Sequence, residues 1–278
     1  MSILMAMFWG FVQGVCEFLP ISSSGHLAIL QNVFGMENIE QNYFTFDILL
    51  HLGTLIAVFI VYYKEIFALI PAFFTMLSKA FKRKFKLEYY NADERFVIFV
   101  IIATIPLVIS ALLGDYVETI YGYTKVIGAI LIFNGIMLFV GDIAKRRRKS
   151  YVGEMEVKPR NALTVGLMQM FAVLPGLSRS GTTITGGLLC GYEQSYAVKF
   201  SFILSVPAIL GANILSLGDL ANNPISKTDI LPYAIGALTA AVVGIGAMKL
   251  LIYISKKSDF RIFAIYSIII GCVAVIFG

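Results

Sequence analysis

Long apolar runs separated by short polar segments dominate the chain. Runs long enough to cross a bilayer, about 17 to 25 residues, lie near 46–63, 95–113, 124–141, 195–215, 232–253 and 261–277. They predict six transmembrane helices. Two more runs, near 1–19 and 161–174, are cut by Pro20 and Pro175 and by Ser/Gly clusters, and shorter apolar runs follow at 27–34 and 182–190. Irregular backbone at membrane depth is tolerated only where it is buried in protein or lines a cavity, so each pair reads as a re-entrant helical hairpin. The expected fold is an all-α polytopic membrane protein, six transmembrane helices plus two re-entrant helical hairpins.

Hairpin 1–34 precedes three spans and hairpin 161–190 precedes the other three. Three is odd, so the second half must enter from the opposite face. That is an inverted-topology repeat, approximately 1–142 and 161–278, within one integral-membrane domain spanning 1–278. The sequences agree within one residue. Gln13 aligns with Gln169, Pro20 with Pro175, and Ser22-Ser23-Ser24-Gly25 with Ser178-Arg179-Ser180-Gly181; Phe46 to Val58 matches Phe200 to Ala212 in pattern. Hairpins entering from opposite faces would bring their polar tips together near mid-membrane.

Loops 64–95, 145–160 and 254–261 carry most of the 22 Lys+Arg, whereas loops 35–45, 114–123 and 216–231 contribute only Lys227. Positive-inside bias then places the first set in the cytoplasm and both termini outside. In 71–86, Phe73, Leu77, Phe81 and Phe85 recur every fourth residue among Lys79, Lys82, Arg83, Lys84 and Lys86, which predicts an interfacial helix on the inner leaflet. The run Arg146 to Lys149 reads as a cytoplasmic stop signal.

Composition supports the membrane assignment. Apolar residues make up 58% and charged residues 14%, against roughly 45–50% and 25% in soluble domains. The net charge of +5 falls in loops between spans, so it indicates orientation and gives no reason to expect a nucleic-acid partner. Met1 opens directly on an apolar run with no basic segment before it, so no cleaved signal peptide is expected. Cys16, Cys190 and Cys272 lack any paired spacing and read as buried thiols.

The chemistry concentrates in the two hairpins. Gln13 and Glu17, four apart, share one helix face. A carboxylate among Val15, Cys16, Phe18 and Leu19 needs a cation, a donor or a proton, so Glu17 is either a structural cap for the facing hairpin, a metal ligand or a general base. Ser22, Ser23 and Ser24 offer three hydroxyls before Gly25 and His26, one of them serving as a helix cap. His26 is a candidate catalyst beside Ser23 and Glu17. In the second hairpin, Gly176 to Thr183 sets a glycine, the hydroxyls of Ser178, Ser180 and Thr183, and Arg179 at a helix start, the donors a phosphate oxygen binds best. A plain Arg179–Glu17 ion pair is the simpler alternative. Asp47 and His51 read either as walls of the same cavity or as packing.

These two motifs, Gln13-Gly-Val-Cys-Glu17-Phe-Leu-Pro20-Ile-Ser-Ser23-Ser-Gly-His26 and Pro175-Gly-Leu-Ser178-Arg179-Ser180-Gly181-Thr-Thr183, resemble the signature motifs of the undecaprenyl-pyrophosphate phosphatases of the bacitracin-resistance type. The likeness runs along the whole chain. Gln13 stays within the family pattern, Ser24 is often Thr, and His51 stands where some members have Gln. The resemblance implies removal of the terminal phosphate from a C55 polyprenyl pyrophosphate, recycling the lipid carrier of cell-wall synthesis in a bacterial plasma membrane. It also implies a divalent cation, Mg2+ or Ca2+. Carried over are Glu17, Ser23, His26, Ser178, Arg179 and Thr183, with Gln13 beside Glu17.

The expected arrangement has Arg179, Ser178 and Thr183 holding pyrophosphate, Glu17 and Gln13 at the metal, and Ser23 as nucleophile with His26 as its base. Attack by water or by His26 itself stays open. A polyprenyl-phosphate flippase or secondary transporter with a mid-membrane anion site is the alternative. It needs no nucleophile beside a carboxylate. Membrane lipids are expected neighbours, and a homodimer is left open by the sequence.

Overall fold

The computed structural model describes residues 1–34, 39–84, 86–111, 114–148, 150–216, 225–257 and 259–278. Twelve α-helices are distinguished among them: α1 (Ile3–Phe18), α2 (Ser23–Val33), α3 (Ile39–Val61), α4 (Tyr63–Phe81), α5 (Ala92–Ala111), α6 (Gly114–Tyr121), α7 (Thr124–Arg147), α8 (Pro159–Phe171), α9 (Arg179–Cys190), α10 (Gln194–Leu215), α11 (Ile230–Lys257) and α12 (Arg261–Phe277). Among the described residues the fold is all-helical. Helices α7, α10 and α11 are long and apolar enough to cross a membrane, and the bent pair α3/α4 adds up to one more. Outward side chains such as Leu4 of α1, Ile105 of α5, Phe133 of α7, Leu238 of α11 and Ile262 of α12 are exposed and apolar, the surface a polytopic membrane protein presents to lipid.

Local chemistry sets the helix ends. Leu19, which precedes Pro20, leaves helical geometry at ψ 143, as the clash with a following proline demands. The second helix of each hairpin is capped by a serine: Ser22 Oγ accepts from the Gly25 N–H at 3.2 Å and Ser178 Oγ from the Gly181 N–H at 3.1 Å. Helix α9 ends on Gly191 at φ 96, the left-handed C-cap that glycine supplies without strain.

Three crossings with small residues hold the bundle together, since without a hydrophobic drive between helices association rests on close packing. A Cβ on Gly10 of α1 would run into the Gly236 carbonyl of α11. On α8, a Cβ at Gly166 would sit 2.5 Å from the Ala103 carbonyl oxygen of α5. Where α7 crosses α12, Gly128 and Gly271 block each other, at 2.7 and 2.6 Å from the opposite carbonyl oxygen. Aromatic residues fill the space between: Phe18 meets Phe202 edge-on at 5.6 Å, and Phe96 meets Phe200 at 5.4 Å.

The structure departs from the sequence reading in three places. The helix expected over 71–86 begins at Tyr63 and ends at Phe81, and it lies at 87° to α3. Phe67, Phe74 and Phe81 are exposed along it, with Lys64 and Lys79 at its ends; Phe85 lies outside the described residues. Segment 114–123 contains α6, which is too short for its periodicity to show in sequence. Of the thiols only Cys16 is buried. Cys272 is exposed on α12, where a small apolar side chain costs nothing against lipid. Lys149 and parts of loops 35–45 and 216–231 also lie outside the described residues.

Candidate functional site between the hairpin tips

The tips of α1/α2 and α8/α9 touch. A Cβ on Gly25 would fall 2.7 Å from the Gly176 Cα, and Gly176 itself takes φ 97, a conformation that suits glycine. Asn134, fully buried in the middle of α7, ties the two tips together. Its Nδ2 donates to the Pro20 carbonyl at 3.0 Å and to Ser267 Oγ at 3.3 Å, and its Oδ1 accepts from the Ser178 N–H at 3.1 Å. Sequence reasoning missed Asn134. An amide within an apolar span was the available signal, since such a group is costly unless bonded.

Glu17 is the hub. One carboxylate oxygen, Oε1, pairs with the Arg179 guanidinium. The other, Oε2, accepts from Ser23 Oγ at 2.7 Å and from Gln13 Nε2 at 3.1 Å, and His51 Nε2 lies 3.9 Å from it. The i, i+4 pairing of Gln13 with Glu17 follows helix geometry directly. Ser23 begins α2 and is aimed by Ser22, whose φ of 74 is rare for a residue with a side chain; such strain costs on the order of 1–3 kcal/mol and clusters at functional sites. Ser23 and Arg179 occupy equivalent positions of the two motifs, and both end on the same carboxylate.

A cavity of about 750 Å³ opens over this group. Glu17, Ser22, Ser23, Ser24, Ser178 and Arg179 line its floor, and Asp47 and His51 stand in its wall. Arg179 uses one nitrogen on Glu17 and another on the Ser205 carbonyl at 3.4 Å; a guanidinium has five N–H donors, so others can serve a ligand. His51 Nδ1 donates to the Asp47 carbonyl at 2.9 Å and lies 3.4 Å from its carboxylate. Asp47 and His51 are therefore walls of the site.

Four expected residues sit behind the cavity. His26 does not meet Ser23: its Nδ1–H donates to the Ser22 carbonyl at 2.8 Å, which leaves Nε2 to accept from the Tyr266 hydroxyl at 2.9 Å, ring stacked on ring. Thr183 donates to the Arg179 carbonyl at 2.8 Å and pairs with Ser201 Oγ at 2.6 Å. Ser180 bonds Ser178 Oγ at 3.1 Å and the Leu19 carbonyl at 3.4 Å. Gly176 packs under α7. These residues brace the floor, whereas Ser178 and Arg179 face the cavity.

Among the described residues no cluster of three or more His, Cys, Asp or Glu side chains surrounds a common point. Hard oxygen donors are nevertheless present. Gln13 Oε1, beside Glu17, and Gln169 Oε1, from a residue lining the cavity, are buried without a hydrogen-bond partner. Mg2+ is commonly held by one or two protein carboxylates plus substrate phosphate oxygens. The donor set fits that kind of site.

The fold and the site together define a polytopic membrane protein with a buried carboxylate–serine–arginine centre under a cavity. The family model described as bacitracin resistance protein BacA matches residues 6–273. The chain belongs to that family. It is 38% identical over 276 residues to a protein of Methanobrevibacter smithii named undecaprenyl-diphosphatase, covering 98% of this chain and 96% of the relative. Relatives of the same name from Methanosphaera stadtmanae and Alkaliphilus metalliredigens are 36% and 34% identical, with coverage of 99% and 100% of this chain and 98% and 99% of the relatives.

Proposed function

We propose that this protein hydrolyses undecaprenyl pyrophosphate to undecaprenyl phosphate and inorganic phosphate, recycling the lipid carrier of cell-wall synthesis and so giving bacitracin resistance. One observation carries the reading: a serine hydroxyl held 2.7 Å from a carboxylate oxygen whose partner oxygen pairs with an arginine facing a cavity. A carrier would need Arg179 but would have no use for the Ser23–Glu17 contact.

The mechanism follows from an exchange of partners. The terminal phosphate of the substrate, more highly charged than a carboxylate, draws the forked Arg179 guanidinium onto its oxygens. Released from Arg179, Glu17 becomes a stronger base, and its Oε2 takes the Ser23 proton across the existing hydrogen bond. Ser23 Oγ then bonds to the terminal phosphorus as the bridging P–O bond breaks, and lipid phosphate leaves with the bond's electron pair. Glu17 passes that proton to the departing lipid phosphate and, ionised again, takes a proton from water, whose oxygen bonds to phosphorus as the Ser23 Oγ–P bond breaks; inorganic phosphate is freed and the proton returns from Glu17 to Ser23 Oγ. Direct attack by water on the pyrophosphate would use the same base. Ser178 and Arg179 stabilise charge spreading over the transferring oxygens. Glu17 and Gln13, with pyrophosphate oxygens, would hold a divalent ion, which when bound neutralises phosphate charge. The test is phosphate release from a polyprenyl pyrophosphate by purified protein. Turnover that chelator removes and Mg2+ or Ca2+ restores is expected; absence of release with either ion present refutes the reading.

The chain is further read as six spans and two re-entrant hairpins in an inverted repeat of 1–142 and 161–278, with both termini outside. Several contacts support this. Gly10 and Gly166, equivalent in the two motif alignments, each pack on the backbone of the other half, and Gly128 and Gly271 pack reciprocally. The Met1 ammonium pairs with Asp229 at 2.7 Å, which puts the N-terminus beside loop 216–231. Lys145 pairs with Asp259 at 3.2 Å and Lys199 with Glu154 at 2.9 Å, among the basic segments of the other side. Cysteines introduced at Asn38 and Asn222 should react with an impermeant thiol reagent in intact cells, and one at Ser150 should not. Labelling at Ser150 alone would invert the orientation.

A further inference from the structure

We propose that Tyr266 is a positioning residue for the reaction: its hydroxyl holds the His26 ring in the state that clamps the Ser22 carbonyl, and the clamped turn keeps Ser23 Oγ on Glu17. This rests on the phosphatase reading and adds to it a residue of α12, outside both motifs.

The contacts run without a break from α12 to the carboxylate. Ser22 caps α2 in a strained turn, at φ 74, and its carbonyl belongs to the planar peptide that joins it to Ser23. Whatever fixes that carbonyl fixes where Ser23 starts. His26 fixes it twice, its backbone N–H donating at 3.3 Å and its Nδ1–H at 2.8 Å. The Tyr266 hydroxyl donates to His26 Nε2 at 2.9 Å, and the two ring planes are 6° apart. In a neutral imidazole one nitrogen carries the proton and the other a lone pair, and the partner of one decides the state of the other. A donor at Nε2 therefore keeps the proton on Nδ1, where the Ser22 carbonyl can accept it. In the other tautomer two lone pairs would face each other.

The second hairpin shows what His26 is for. Thr182 stands in the matching place, four residues after the capping Ser178. Its N–H and its Oγ1 both donate to the Ser178 carbonyl, at 2.8 and 2.5 Å, and so clamp the peptide ahead of Arg179. A hydroxyl on Cβ reaches the carbonyl one turn back unaided. An imidazole is longer, can turn and can exchange tautomers, so its clamp needs a second contact.

Tyr266 stands on a fixed element. A Cβ on Gly135 of α7 would fall 2.6 Å from the Ala264 carbonyl oxygen, and one on Gly271 would fall 2.6 Å from that of Gly128, so α12 is seated against α7 on both sides of the tyrosine. Ile262, Ile265 and Ile269 share an exposed stripe with Tyr266, which is itself 40% exposed. A hydroxyl on a lipid-facing stripe has no water to bond instead, so it must take its partner from the protein.

Tyr266→Phe keeps the ring and removes only the hydroxyl. With gel filtration confirming a folded protein, kcat for phosphate release from a polyprenyl pyrophosphate should fall about three- to tenfold, the worth of one hydrogen bond, while KM stays within about twofold because Arg179 and Ser178 are untouched. His26→Thr copies the device of the second hairpin, and in that background Tyr266→Phe should cost nothing further. His26→Ala, with no ring to hold, should be equally indifferent to it. The chain has two histidines, so nitrogen-15 NMR of histidine-labelled protein reads the ring directly. His26 should carry its proton on Nδ1 in the wild type and on a mixture of both nitrogens in Tyr266→Phe. Wild-type kcat in Tyr266→Phe overturns the proposal, and so does a proton resting on Nε2 in the wild type. The same loss recurring in the His26 variants also overturns it, by showing that Tyr266 acts through the packing of α12. Failure of the wild type to release phosphate would instead overturn the phosphatase reading.

Discussion

Ser23→Ala is expected to lower phosphate release by on the order of 10³-fold or more, because losing a nucleophile leaves only the residual acceleration from binding and charge stabilisation. Substrate affinity should change little, since Arg179 and Ser178 remain. Ser23→Cys would keep a trace of turnover, as a thiol can also attack. Ser22→Ala and Ser24→Ala serve as controls. Ser22 caps α2, and a lost cap costs about 0.5–2 kcal/mol of stability and leaves the chemical step intact. His26→Ala should fall between these extremes, because its bond to the Ser22 carbonyl steadies the turn that aims Ser23. Its effect in the double variant is diagnostic: a residue acting through the position of Ser23 adds nothing once Ser23 is gone. Near-normal phosphate release from Ser23→Ala would remove serine from the mechanism and leave water activated by Glu17 as the attacking group.

Arg179→Lys should reduce kcat/KM by at least about tenfold, since one lost charge-assisted bond is worth roughly 1.5–3 kcal/mol and an ammonium cannot grip two phosphate oxygens in one plane. Arg179→Ala should do more. It strands Glu17, whose side chain is 6% exposed, and breaking a buried pair by removing one partner costs about 3–5 kcal/mol. The double variant Glu17→Gln/Arg179→Ala should therefore regain stability while staying inactive. Inhibition by inorganic phosphate separates the roles: weaker inhibition of Arg179→Lys is expected if the guanidinium binds phosphate. Unchanged inhibition and turnover would make Arg179 only the structural partner of Glu17.

Much of the site was legible from the sequence because it is local. Gln13 and Glu17 lie one helical turn apart, and Pro20 and Pro175 mark where each hairpin must break. Length and apolarity located α3, α5, α7, α10, α11 and α12. What escaped notice depends on tertiary contact. His26 follows Ser23 by three residues, so proximity in sequence suggested a pair, yet the α2 helix turns its ring toward Tyr266 on α12. Thr183 belongs to the phosphate motif, but as a hydroxyl one turn into α9 it bonds back to the Arg179 carbonyl. Asn134 and Ser205 support the floor from α7 and α10, and nothing in their own segments marks the hairpins as their partners. The start of α4 at Tyr63 was hidden because the apolar run continues unbroken across the 87° bend.

Ser23 and Arg179 occupy matching seats in two motifs that read alike, and both grip one carboxylate. Two identical chains associating about a two-fold axis would have to fill both seats with the same residue. Two arginines would leave the centre without an attacking group, and two serines would leave it without a cation. A single polypeptide lets each seat hold a different residue, so this division of labour is open to one chain and closed to a homodimer of half-length chains.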